Sequence, residues 1–586
     1  MSKVSIEIME PKGKLLDPRR EGLSNPRLDT LKGKTIALMA IHVDSLVMLG
    51  SILFFDILEE RLKARYEGLQ VYRCLSFGSP ASVVNADEIA SKCDAWVEGV
   101  KEAITQGKRD VGVFMERAGK PGVSICSEVL LRSKQELQDL NGMPAVRLAT
   151  VPAVDYCAAK RDRALMEKVV DAVFDDIVEA LTKPLTEEEK RSYIKEYDYS
   201  NKTFTGGTYH EAYEQFLDYC ARNALTDGLP VVPPTPENVA WMMTGTTYDR
   251  DKVIGYMYPK RGVATVEKIA ECAVMAGAKP EWLPVIIGII DVITDPNFNQ
   301  FHVVNEILPL IFISGPIVKE LGINNATGYL APGYRINSTI GRAVLLCMIS
   351  IGWRDMTVYA SPGGPGQPAA YCNYFIPENQ DESPWITWAE HCGFGPDESI
   401  ITACELNGTN MVSGECMSNT SFEDRLNALT SHFARNGGTY GFSEVADNPR
   451  YMIVLHPTLA RQLADHGFTR DTFVQYLYDK NVVDYERMTE GERAQLIRDL
   501  ENEIANGGSM SRVRALKPED VKPGLHLEPF HTGDQVLIIV SGSGAGNSVM
   551  YSAMTGSSAP HAEDVKEPRP WMSKVIRGAA LTRYGR

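Results

Sequence analysis

The feature that most constrains the fold is a regular alternation of short apolar runs and amphipathic segments between residues 34 and 183. Short buried strands alternating with helices form a parallel sheet covered on both faces, because right-handed crossovers place the helices on the sheet. The pattern predicts a flavodoxin-like or Rossmann-like α/β domain. Its predicted elements are a strand at 35–41, a helix at 45–64, a strand at 70–74, a helix at 86–106, a strand at 111–115, a helix at 127–139, a strand at 146–151 and a helix at 162–181.

The rest of the chain predicts a larger mixed α/β domain. An amphipathic segment at 264–277 is typical of a helix, and the apolar run 535–540 is typical of a buried strand. A charged stretch followed by glycines indicates a boundary. The predicted organisation is an N-terminal extension at 1–33, a flavodoxin-like domain at 34–185, a linker at 186–207 and the larger domain at 208–586. We find no repeat of fixed period.

Composition excludes several classes of function. A net charge of −16 repels nucleic acid and anionic membranes, so we expect neither partner. No run approaches the roughly 20 apolar residues of a membrane helix, and the N-terminus lacks the apolar segment of a signal peptide. The eleven cysteines include no C-x-x-C pair, which favours reduced thiols over a disulfide framework. We therefore expect a cytoplasmic protein.

Cys126 is the first candidate for chemistry. It follows the predicted strand at 111–115 and a Gly-Lys-Pro-Gly loop, where a helical pattern begins. A cysteine at a helix N-terminus meets free N–H groups and the positive end of the helix dipole, which lower its pKa. We expect Cys126 to be a nucleophile or redox centre, with Ser124 and Glu128 beside it. The alternative is a small buried residue that packs a strand end.

Loops rich in Gly, Pro and Asn between 314 and 368 form the second candidate. In this segment, Tyr334, Arg335, Asn337 and Arg342 would bind a carboxylate through a fork of hydrogen-bond donors. The alternative is that these side chains cap a buried helix.

Two further segments add binding candidates. Glu378 follows an apolar turn and would orient a cation or act as a base, unless it is a solvated loop acid. The turn at 540–548, with Gly544 and Asn547, departs from the G-x-G-x-x-G spacing of dinucleotide sites and is better interpreted as a backbone nest for an anion.

Histidines supply the acid/base candidates because their side chains titrate near neutral pH. We select His42 and His302 for this role. No two histidines show the i, i+4 helical spacing of zinc hydrolases, and we assign no metal and no cofactor. A distributed metal site that joins both histidines with a carboxylate stays open.

Several motifs together resemble the UGSC selenocysteine or cysteine protein family, over most of the chain and more specifically in the second domain. They are the turn cysteine, Thr226-Asp-Gly-Leu-Pro-Val-Val-Pro-Pro, Gly315-Pro-Ile-Val-Lys-Glu-Leu-Gly-Ile-Asn, Arg335-Ile-Asn-Ser-Thr-Ile-Gly-Arg, Glu378-Asn and the final Gly-rich turn. The resemblance implies an enzyme of small-molecule metabolism, with a redox site similar to selenoprotein components of the glycine reductase type. Here the stretch at 121–126 keeps one cysteine, and a resolving thiol would have to come from another loop, for example Cys74 or Cys157.

These observations lead to one preferred function and two alternatives. We expect a thiol-dependent, oxidoreductase-like enzyme that acts on a small carboxylated substrate in a cleft between the two domains. The first alternative is a lyase or hydrolase that uses His and carboxylate groups, with or without a metal, while Cys126 only packs. The second is a non-catalytic binding protein. The apolar runs 282–293 and 307–313 would serve a homodimer, although core packing explains them as well.

Overall fold

The computed structural model describes most of the chain. The described residues are 3–42, 45–77, 86–101, 110–298, 308–356, 374–406, 408–413, 421–433, 450–480, 483–491, 493–494, 497–498, 501, 517–527, 536–543, 548–554 and 571–585.

The N-terminal part of the chain alternates strands and helices. The strands at its centre are buried along almost their whole length, as expected where helices cover both faces of a sheet. The elements are β1 (Val4–Ile8), β2 (Arg19–Arg20), β3 (Thr35–His42), α1 (Ser45–Arg65), β4 (Gln70–Phe77), α2 (Ala86–Ser91), β5 (Ala95–Lys101), α3 (Val111–Arg117), β6 (Gly122–Ser127), α4 (Leu131–Leu140), β7 (Leu148–Val151), α5 (Ala153–Ala159) and α6 (Arg163–Thr182).

Five of these strands form one parallel sheet in the order β4-β3-β5-β6-β7. This is the 2-1-3-4-5 order of flavodoxin-like domains. Helices α1 and α6 pack on one face, and α2 and α3 pack on the other. The predicted α/β class and its N-terminal parallel sheet are confirmed.

Two predicted elements are wrong. Over its described residues 86–101, the predicted helix at 86–106 is the short helix α2 followed by strand β5, and residues 102–106 lie outside the described ranges. The predicted strand at 111–115 is helix α3. A short apolar run does not by its periodicity distinguish strand from helix. Asp110 decides the second case, because its carboxylate accepts a hydrogen bond from Val113 N at 3.0 Å and caps the helix.

The segments predicted as extension and linker pair with each other. After helix α7 (Glu187–Lys190), strands β8 (Tyr193–Ile194) and β9 (Lys202–Gly206) pair antiparallel with β2 and β1. Ile8 of β1 and Phe204 of β9 belong to the hydrophobic cluster formed by the helices that follow in the chain. The first residues of the chain are thereby tied to the second part of the molecule.

A helical layer follows, built around one large hydrophobic cluster that also takes in Leu137 of α4. Its apolar helix α11 is almost entirely buried, so core packing accounts for the apolar run at 282–293. The elements are α8 (Tyr209–Arg222), α9 (Pro236–Met243), β10 (Val253–Met257), β11 (Gly262–Thr265), α10 (Val266–Met275), α11 (Leu283–Ile293), β12 (Leu308–Ser314), α12 (Ile317–Glu320) and α13 (Arg335–Ser350).

The remaining elements complete two four-stranded sheets. They are β13 (Tyr374–Pro377), α14 (Trp388–His391), β14 (Ile400–Leu406), β15 (Gly408–Ser413), α15 (Phe422–Phe433), β16 (Arg450–Leu455), α16 (Pro457–Asp465), α17 (Arg470–Lys480), β17 (Val483–Asp484), β18 (His526–Leu527), β19 (Val536–Val540), β20 (Ser548–Met554) and β21 (Trp571–Val575). The sheet orders are β13-β12-β14-β21 and β19-β16-β20-β15.

The two sheets have the same architecture. In each, the first two strands are parallel and the other neighbours are antiparallel. Phe312 and Val454 belong to the cluster between the sheets, whereas Ile313 and Leu455 face the helices outside, which gives four layers. The outermost strands are exchanged, since β15 follows β14 but pairs with β20, and β21 follows β20 but pairs with β14. This structural repeat has no fixed period in the sequence.

Within the described ranges, none of the helices combines the length and apolar character needed to cross a membrane.

Candidate functional site

A buried ionic network is centred on the middle of β5 and β6, where Glu98 and Ser124 are paired. Lys134, on α4, places its Nζ 3.0 Å from Glu98 Oε2 and 2.6 Å from Asp110 Oδ2. Ser124 donates its hydroxyl to the same Glu98 oxygen at 2.8 Å, and Lys101 Nζ lies 3.1 Å from Glu98 Oε1. These groups come from two strands, one helix and the cap of another, so only the tertiary fold brings them together.

The central charges of this network are retained at neutral pH. Burial alone would raise the pKa of Glu98, but Lys101, Lys134 and Ser124 outweigh it and hold the pKa well below its usual range. Burial alone would lower the pKa of Lys134, but Asp110 and Glu98 raise it instead. The network therefore presents fixed charges, and desolvating such charges costs free energy that their pairing only partly returns.

Cys126 does not lie at a helix N-terminus. It is the fifth residue of β6, it is fully buried, and its pKa is raised to about 11 chiefly by burial, with Lys134 opposing the shift. The predicted activation of this thiol is wrong because β6 continues to Ser127, which keeps Cys126 away from the free N–H groups of the next helical turn. The thiol is protonated at neutral pH.

The neighbours of Cys126 have separate roles. Ser124 is buried and bonded to Glu98, so it belongs to the ionic network. Glu128 is exposed and accepts a hydrogen bond from Ala153 N at 3.4 Å, at the start of α5. Cys74 has a pKa raised by burial, and Cys157 is exposed. No disulfide bond is formed by the cysteines of the described ranges.

Two residues flank the point where the strand order reverses. β3 ends at His42 and the neighbouring β5 ends at Lys101. In open α/β sheets, ligands bind beyond the carboxyl ends of the strands at this switch point. The side chain of His42 and the whole of His302 lie outside what the structure describes.

The predicted arginine fork is engaged within the protein. Arg342 forms a bidentate ion pair with Asp227, at 2.8 and 2.9 Å. Arg335 donates to Gly277 O at 2.8 Å and lies over the Trp282 ring. Tyr334 is exposed beside it. Arg335 and Arg342 therefore join the buried helix α13 to the preceding loops. This is close to the alternative given for them from the sequence, in which they tie down a buried helix and bind no ligand.

Asn337 and Glu378 belong to a second connected region. Asn337 bonds the backbone of Asn324 in both directions, at 2.8 and 3.0 Å. The side-chain amide of the next residue, Asn325, donates a hydrogen bond to the backbone carbonyl of Glu378. The backbone carbonyl of Asn325 accepts a hydrogen bond from Gly542 N, at the start of the Gly-rich turn. Gly544 and Asn547 lie outside the described residues.

The Glu378 carboxylate is buried, contrary to a solvated loop acid. It accepts from Arg470 Nη2 at 3.0 Å, from Ser314 Oγ at 2.5 Å and from Trp388 N, at the start of α14. Burial still raises its pKa, although Arg470 opposes the shift. The Glu378–Arg470 ion pair and the hydrogen bond from Ser314 to Glu378 together join β12, the end of β13 and α17.

Four members of the network were not predicted from the sequence, namely Glu98, Lys101, Asp110 and Lys134. One signal was present, since Glu98 is the single charge inside the apolar run 95–100. An acid in a buried strand needs a partner. The predicted helix at 86–106 concealed this signal. In the described part of the chain, no group of three or more His, Cys, Asp or Glu residues is placed to hold a metal ion.

The fold and this network define an α/β protein with a flavodoxin-like N-terminal sheet and a charged centre below its carboxyl edge. Residues 7–183 match the model of the UGSC family, which confirms the predicted family for this part of the chain. The match covers the first domain, whereas the resemblance was expected to be more specific in the second. No curated protein and no solved structure matches the chain.

Proposed function

We propose that the protein is an enzyme of small-molecule metabolism whose reaction takes place at the carboxyl edge of the N-terminal sheet. The single observation that carries this proposal is the buried network of Glu98, Lys134 and Asp110 below that edge. Buried ion pairs contribute little net stability, and groups with strongly shifted pKa values concentrate at functional sites. The flavodoxin-like strand order supports the same location.

The roles follow from position and chemistry. His42 ends β3 at the switch point and would transfer the proton, because histidine titrates near neutrality. Lys101 ends β5 and would bind the carboxylate of a small anionic substrate, while Glu98 orients its ammonium. Cys126, a protonated thiol, packs beside the network. The reaction is then a lyase or hydrolase reaction in which a histidine acts with charged groups.

The thiol-dependent oxidoreductase is the second candidate. One observation favours it, namely that the Lys134 ammonium acts to lower the pKa of Cys126. The two candidates differ in whether Cys126 is needed for turnover.

Conversion of a panel of small carboxylic acids, followed by mass spectrometry, tests the proposal. We expect His42→Gln to lower turnover by about a hundredfold or more, as for loss of a general acid or base. Cys126→Ala should keep most of the wild-type rate. The control is His210→Gln, since the His210 side chain is 81% exposed on α8.

Loss of turnover in folded Cys126→Ala would overturn the proposal in favour of the thiol mechanism. Binding of carboxylates by the wild-type protein without any product would favour the non-catalytic alternative.

A cytoplasmic location and a homodimer belong to the same proposal. The free cysteines of the described ranges support a reducing compartment. The homodimer is proposed from the apolar runs 282–293 and 307–313, although the described residues of both runs pack in the core, and light scattering of the purified chain decides it.

A further inference from the structure

A cavity of about 450 Å³ opens between β10, α11 and β21. Its apolar walls include Ile254, Ile287, Phe394 and Val575. This volume lies within the range of small-molecule binding sites, which combine apolar walls with a few convergent polar groups. None of its lining residues belongs to the ionic network of the N-terminal sheet.

Three cations line this cavity, namely Lys252, Lys574 and Arg577. The charge of Lys574 is neutralised by two carboxylates, because its Nζ lies 2.9 Å from Asp291 Oδ1 and 2.6 Å from Asp295 Oδ2. It therefore serves to join β21 to α11. Among the described residues, neither of the other two cations has a carboxylate partner as close as those of Lys574.

Lys252 places its ammonium 3.2 Å from the centre of the Tyr248 ring and forms no ion pair with any carboxylate of the described residues. Arg577 reaches Glu398 only at 4.0 Å, and its side chain is 63% exposed. In a chain with a net charge of −16, two weakly paired cations at one cavity favour an anionic ligand.

Gly288 lies in the interior of α11 and lines the same cavity. A Cβ at this position would meet Ile401 and Ile576 at 3.6 Å, which is ordinary van der Waals contact. Packing therefore does not require the glycine, although glycine weakens a helix interior. Gly288 contributes only backbone to the cavity wall.

We propose that this cavity binds a small organic anion with an apolar or aromatic body. The body packs against Ile254, Ile287 and Phe394, and the anionic group contacts Lys252 and Arg577. The inference goes beyond the proposed function, since it concerns a separate site and holds whether or not the N-terminal edge is catalytic.

Fluorescence titration with anilinonaphthalene sulfonate, an aromatic anion, tests the site in the full chain. The double variant Lys252→Gln/Arg577→Gln should bind this probe at least about tenfold more weakly, because charge-assisted contacts are the strong ones. The uncharged probe phenylnaphthylamine should keep its affinity. Lys183→Gln is the matched control, because Lys183 is 69% exposed in a different part of the fold.

Each variant is compared with the wild type by its melting temperature. Unchanged affinity for the anionic probe in the folded double variant would overturn the proposal. Equal losses for the charged and the uncharged probe in that variant would overturn it too, since the cations would then not act through charge.

Discussion

Lys134 and Lys92 are lysines of the same domain in opposite surroundings. The Lys134 side chain is 2% exposed between Glu98 and Asp110, whereas Lys92 pairs with Glu88 at the surface. A buried pair loses most when one partner is removed, because the remaining charge is left without compensation. A surface pair contributes little in either case.

Lys134→Met should therefore lower the free energy of unfolding by about 3–5 kcal/mol, since it leaves Asp110 buried without its cation and Glu98 with Lys101 alone. Lys92→Met, the matched control, should change it by at most about 1 kcal/mol. Urea unfolding measures both. A loss below about 1 kcal/mol for Lys134→Met would mean that water reaches Glu98 and Asp110.

Single residues also mark the limit of prediction from the sequence. The strand predicted before Cys126, at 111–115, is helix α3, and Cys126 lies inside β6, which the sequence pattern did not predict. Burial in this strand raises the pKa of the thiol, whereas the predicted helix N-terminus would have lowered it. Lys134 could not be selected, because nothing local distinguishes it from the surface lysines of an amphipathic helix. Its partners Glu98 and Asp110 lie 36 and 24 residues earlier in the chain.

Helices and strands differ in how well the sequence determined them. Long periodic segments such as α1 and α6 were predicted almost to the residue. The short run at 111–115 was not, since the cap from Asp110 and not the apolar pattern fixed it as a helix. Capping also matters at α16, where buried His456 accepts a hydrogen bond from Leu459 N through its ring nitrogen.

Burial lowers the pKa of His456 from 6.5 to about 4. Between these values the unfolded chain binds a proton that the native protein does not, so stability falls as the pH falls through this window. The loss amounts to about 3 kcal/mol at most. His456→Asn keeps a capping acceptor without titrating, and it should flatten the dependence of the free energy of unfolding on pH between 4 and 6.5.

The control for this measurement is His210→Asn, at an 81% exposed position. Its pH dependence should equal that of the wild type. If the free energy of unfolding depended on pH with the same slope in His456→Asn and in the wild type, His456 would not be a neutral, buried helix cap.

The whole molecule is held together by elements that serve two parts at once. Helix α4 directs Lys134 towards the N-terminal sheet, while its Asp139 contacts Arg20 at 2.7 Å and Lys260 at 3.0 Å. The exchange of β15 and β21 does the same for the two later sheets. Neither arrangement was predictable, since both depend on pairings between distant segments.

Removal of residues 571–586 should expose the edge of β14, because β21 is its outer neighbour. Hydrogen exchange of the β14 amides should then become faster, on the order of tenfold or more. The internal control is β16, which keeps both of its neighbours. Unchanged protection of β14 in the truncated chain would show that β21 does not stabilise this sheet.

The exchanged strands also have a consequence for synthesis. When β12, β13 and β14 have left the ribosome, the outer strand of their sheet does not yet exist, and every residue from 407 to 570 has to be added before it does. A nascent chain in this state carries an open strand edge, which is a site for unwanted pairing with other chains. Translation speed and chaperone supply during this interval therefore bear directly on how much native protein a cell obtains.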